Sequence, residues 1–144
     1  SLASAYQTAK QFDRAEKILK DILVSYPGYP IAMNNLGYLY LQSGKNFDIA
    51  LELIKKALVV DPHNPSYLDS LGWAYFKMGD YLKAKYQLEK AKEFSPNSPT
   101  ILEHLGDVYE KLGEKTEARN TWQRALTLTY NTDKQNRIKS KLNR

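Results

Sequence analysis

The chain has 144 residues, 42% of them hydrophobic and 26% charged, with a net charge of +5 and no cysteine. That length suits one domain with its own core, while disulfides and thiolate metal sites are excluded. No run of about 18 apolar residues is present to cross a membrane, and SLASAYQTAK lacks the basic-then-apolar order of a signal peptide.

In chain order, the sequence reads as one unit repeated. Residues 1–29 fit the frame with its opening missing: Leu2, Ala3, Tyr6, Ala15, Leu19, Ile22 and Pro27 fall on the recurrent positions. The chain is therefore expected to be an excerpt that begins inside a repeat. Full units follow at 30–64, 65–98 and 99–132, then a tail at 133–144. Leu36, Leu71 and Leu105 lie 35 and 34 residues apart, and each is followed by a glycine (Gly37, Gly72, Gly106) and then Tyr40, Tyr75 or Tyr109. A second glycine recurs at Gly44, Gly79 and Gly113, and alanines recur at Ala50, Ala84 and Ala118 and at Ala57, Ala91 and Ala125. A fixed period of this length marks a repeat architecture.

Each full unit predicts two helices: 31–43 and 47–60, 65–78 and 81–94, 99–112 and 115–128. Asn64 before Pro65, and Ser98 before Pro99, read as N-caps ahead of first-turn prolines. Gly44, Gly79 and Gly113 sit where a helix ends in a left-handed residue. Gly37, Gly72 and Gly106 lie inside helices at a cost of about 0.5–1 kcal/mol each relative to alanine, which is reasonable where another backbone must pass close. In the tail, Thr132 or Asp133 is the expected N-cap. Ile138 and Leu142, one turn apart, would cover the flank of the last unit. Residues 131–144 carry five cations (Lys134, Arg137, Lys139, Lys141, Arg144) against Asp133, so the charge excess is concentrated in the tail.

Over residues 1–132 the chain resembles the tetratricopeptide repeat family, whose first helix carries Leu-Gly-x-x-Tyr and whose second carries Ala, a large residue, Ala and Pro. Stretches such as LGWAYFKMGDY and LGDVYEKLGE have a bacterial look. Departures fall in the terminal units: Tyr130 for proline, Lys115 for an aromatic residue, Ala3 for the first glycine. The resemblance implies an all-α protein, an α-α superhelix or solenoid of about three and a half helix hairpins closed by a capping helix at 133–144. It also implies a single domain over 1–144, with first helices lining a concave face, and it leaves the location open between the cytoplasm and a bacterial periplasm.

What such a scaffold does is hold a peptide or helix of another protein in that groove. Carried over from the family's groove positions, the lining here is Asn34, Tyr38 and Leu41, then Asp69, Trp73 and Phe76, then Glu103, Asp107 and Glu110. A partner with apolar and basic residues suits that series. Family members that clamp the carboxylate-ended tails of chaperones use cations at groove positions. Here Asp69 and Glu103 occupy such positions, so that mode is not expected. His63 and His104 are about 41 residues apart with no second ligand at metal spacing, and both are expected to be ordinary surface residues. No catalytic constellation, metal site or cofactor site is evident, and an enzyme is not expected. Two alternatives remain. One is RNA binding through the basic tail and aromatic residues, which the groove carboxylates oppose. The other is self-association through Leu2 and Tyr6 in the half unit.

Overall fold

The computed structural model describes residues 2–144, and among them every regular element is an α-helix. The chain divides into two compact units, residues 1–62 and 63–144. The first holds α1 (Leu2–Ser25), α2 (Pro30–Ser43) and α3 (Phe47–Val60). The second holds α4 (Pro65–Lys77), α5 (Tyr81–Phe94), α6 (Pro99–Lys111), α7 (Lys115–Leu128) and α8 (Thr132–Leu142). None of these helices is long and apolar enough to cross a membrane.

The six helices expected in the full units are present, with ends within a residue of the expected bounds. The caps explain that agreement. Asn64 accepts hydrogen bonds from the amides of Ser66 and Tyr67, and Ser98 accepts one from Ile101. Gly44, Gly79 and Gly113 adopt φ of 77°, 83° and 79°, ending each first helix in the left-handed region. Only the tail's cap differs from expectation. Asn131, one residue before Thr132, accepts from the amide of Lys134 and starts α8.

Three hairpins, α2/α3, α4/α5 and α6/α7, are built on the repeated small residues. Ala50, Ala84, Ala118, Ala57, Ala91 and Ala125 are all buried, as are the large residues between them, Ile54, Leu88 and Trp122. A Cβ at Gly37 would meet Ile54 at 2.8 Å and the Ala50 carbonyl at 3.0 Å. One at Gly72 would meet Leu88 at 2.6 Å, and one at Gly106 the Trp122 ring at 2.4 Å. In the second unit α6 also packs on α4 and α5, and α8 packs on α7.

The partial unit at 1–29 is a single helix, not a hairpin. Its turn slot is filled by Lys10 where the full units have glycine, and α1 runs straight through. Its second half packs on α2: Phe12 lies 6.3 Å from Tyr40, and the Tyr40 hydroxyl donates to Glu16 at 2.6 Å. Ala15, Leu19 and Ile22 stay half-buried, because no first helix covers them. Leu2 and Tyr6 are 89% and 71% exposed.

Glycine at the crossing point is therefore a steric requirement. Gly106→Ala is expected to lower unfolding stability by about 1–3 kcal/mol despite alanine's better helix propensity, because the buried Trp122 ring has nowhere to go. Gly28→Ala, with nothing within 4 Å, should change stability by less than about 0.5 kcal/mol. Urea titration of the two variants measures both.

Candidate functional site

The nine residues expected to line a groove lie on α2, α4 and α6. On α2, Asn34 and Leu41 are buried and Tyr38 is half-buried. Asn34 is 7% exposed and its Oδ1 has no hydrogen-bond partner among the described residues. Leu41, fully buried, is core and presents no surface to a ligand.

On α4, Asp69, Trp73 and Phe76 follow the 3-4 spacing that places them on one side of the helix. Trp73 and Phe76 stack nearly parallel, with ring centroids 4.5 Å apart. Trp73 also stacks with His104 of α6, at 3.9 Å and an 18° tilt. His104 Nδ1 lies 2.8 Å from Asp69 Oδ1, and both residues are buried. The expectation that His104 is an ordinary surface residue is thus corrected: α6 packs on α4 and turns the imidazole inward, where the Asp69 carboxylate satisfies it. The product is a shelf of three stacked rings. Trp73 and Phe76 remain half-exposed along it, and the Lys77 ammonium lies 5.3 Å from the Trp73 ring. His63 is exposed, with its ring 5.0 Å from that of Phe94.

On α6, Glu103, Asp107 and Glu110 are engaged within the chain. Arg137 forms a two-bond fork with Glu103, each contact 2.6 Å. Lys141 reaches Asp107 at 2.7 Å and Glu103 at 2.8 Å, and Arg144 reaches Glu110 at 2.6 Å. Arg137, Lys141 and Arg144 each lie 34 residues beyond their carboxylate, so α8 repeats the register of the α6 carboxylates with the charge inverted. The 34-residue spacing is present in the sequence, although the tail's net charge alone does not reveal it. Trp122 Nε1 donates to Asp107 at 3.1 Å, joining the ladder to the hairpin core.

The ladder sets the acid chemistry of this face. Burial alone would raise the Glu103 carboxyl, but Arg137 and Lys141 overcome it and bring the pKa down to about 2. For Asp107 burial wins over Lys141, and its pKa is raised. Because Glu103 has a folded pKa below the ordinary 4.5, its contribution to stability is complete above pH 4.5 and is lost as pH falls towards 2. Glu103→Gln is expected to be about 1–3 kcal/mol less stable than wild type at neutral pH. That gap should close between pH 4.5 and 2 in paired denaturant titrations.

Comparison with known proteins gives the same architecture. The family model described as anaphase-promoting complex, cyclosome, subunit 3 matches residues 43–125, and the tetratricopeptide repeat model matches residues 1–65. Curated protein sequences give no significant match. Among solved structures, one crystal structure of MamA superposes with a TM-score of 0.69 at 24% identity, covering 90% of this chain and 75% of that one. A second MamA structure gives 0.67 at 25% identity, covering 87% of this chain and 68% of that chain. The first repeat domain of Spaghetti (RPAP3), bound to the HSP90 peptide SRMEEVD, gives 0.65 at 21% identity, covering 80% of this chain and 94% of that one. With its hairpins, its glycine–alanine crossings and these matches together, the chain belongs to the tetratricopeptide repeat family, whose fold is a protein–protein interaction module.

Proposed function

We propose that this chain is a non-enzymatic scaffold that holds a peptide or helix of a partner protein against its first helices. The single observation behind that reading is the stacked shelf in which the rings of Trp73 and Phe76 stay half-exposed, backed by the buried imidazole of His104. Partly exposed, rigid aromatic rings are the usual anchors of protein recognition, because they offer large contact area at little conformational cost. Asp69 fixes His104, and His104 fixes the tilt of Trp73, so the shelf is preorganised. The partner supplies apolar side chains to the rings and, in this reading, basic groups towards the Glu103, Asp107 and Glu110 side of α6. The same fold carries a bound peptide in the RPAP3 domain, at an identity that speaks for fold alone.

Selection from a random displayed-peptide library tests the shelf. Enriched peptides should contain apolar or aromatic residues, and Trp73→Ala with Phe76→Ala should weaken their binding by about tenfold to a hundredfold. Circular dichroism should remain helical. Undiminished binding by that variant would remove the shelf from the site.

Self-association has its own support in the exposure of Leu2 and Tyr6. If α1 pairs with a second copy, sedimentation at increasing concentration shows a monomer–dimer shift that Leu2→Ser with Tyr6→Ser abolishes. A monomer at every concentration eliminates this second role.

A further inference from the structure

In the first helices of the full units, one side carries the candidate site residues and the opposite side carries the leucine that holds a second helix. In α8 only the former side is kept. Arg137, Lys141 and Arg144 match the register of Glu103, Asp107 and Glu110, while Lys139 stands 34 residues after Leu105, where leucine would be needed to hold a second helix. Lys139 and its neighbours Asn136 and Ser140 are exposed. A single α8 residue, Ile138, is buried, and it is 1% exposed. The helix is thus seated by one fully buried aliphatic side chain, the half-buried Leu142 and a set of ion pairs whose outer members, Arg137 and Arg144, are 51% and 59% exposed. The inner members are covered, with Glu103 8% and Asp107 16% exposed.

We propose that the face of α6 and α7 now covered by α8 is an exchangeable docking site for a basic helix of a partner protein, with α8 as its resident occupant. The occupant's chemistry is read from α8 itself: cations at i, i+4 and i+7 and an aliphatic residue at i+1, as in Arg137, Ile138, Lys141 and Arg144. Charge complementarity selects the helix and sets its register, because each cation falls opposite one carboxylate of α6. An eleven-residue helix is marginal in isolation, and its docking leans on partly solvated ion pairs, so exchange is feasible without opening the hairpins. The site is the basic-partner end of the proposed groove, and it stands or falls separately from the aromatic shelf.

The test uses the full chain and a labelled peptide of residues 131–144. In wild type α8 competes, so the peptide binds weakly. Ile138→Asp in the chain frees the face, and apparent affinity should rise by about tenfold or more. Replacing Arg137, Lys141 and Arg144 of the peptide by glutamate should abolish binding, and raising salt from roughly 0.05 to 0.5 M should weaken it by about tenfold. Trp73→Ala with Phe76→Ala, added to the Ile138→Asp chain, should leave peptide binding unchanged; loss there would merge this site with the shelf and overturn its independence. A folded Ile138→Asp chain that ignores the peptide, or binds the glutamate version equally, refutes the proposal. Hydrogen exchange on wild type decides the matter if Ile138→Asp unfolds. Amides of α8 should open while those of α6 and α7 stay protected, and opening only together with them would overturn the exchange.

Discussion

Everything in this molecule depends on how closely two helices of a hairpin approach each other. With glycine at positions 37, 72 and 106, the second helix sits so near that a single added carbon would meet Ile54, Leu88 or the Trp122 ring at under 3 Å. That spacing fixes the rotation of each first helix about its axis. Once Leu-Gly-x-x-Tyr faces inward, residues 5, 9 and 12 of the unit have no choice but to face the other way. The ring shelf on α4 and the carboxylates on α6 are therefore consequences of a packing constraint on the opposite side of the same helices.

The polar contacts within the second unit follow from the repeat as well. When equivalent helices lie side by side, equivalent positions become neighbours, and a side chain at one position meets its counterpart 34 or 35 residues later. Glu103 meets Arg137 in this way and Asp107 meets Lys141, while Asp69 meets His104, one residue past its own counterpart Glu103. A single period thus governs both the apolar core and the charge pairing. It also explains why the concentrated basic tail is a poor candidate for binding phosphate: three of its five cations are committed to carboxylates. Electrostatics that look segregated along the sequence are neutralised in the fold.

Most of the architecture was legible beforehand, because the punctuation is chemical. Asn64, Ser98 and the positive-φ glycines each do one local job that only a few residue types can do, so helix ends could be placed to within a residue. The candidate face was harder. Its positions on the helices could be assigned from the repeat, but whether a side chain is open to a ligand depends on neighbours distant in sequence. Leu41 is sealed in the core, His104 is turned inward, and the α6 carboxylates are occupied by a helix whose net charge does not disclose its register. Alignment of the tail with the same frame as the full units would have exposed the pairing. The straight course of α1 was likewise encoded, in the lysine at its turn slot.

That continuous α1 gives the first unit an unequal pair of boundaries. Its second half is supported on one flank only, by α2, whereas each second helix of the full units is clasped by its own first helix. In a repeat protein, stability is summed from neighbouring interfaces, so a segment with one interface is the weakest link of its unit. Thermal agitation should therefore loosen the exposed residues 2–11 before the rest of the unit and release the Tyr40–Glu16 bond next. A cellular protease would find its earliest foothold there.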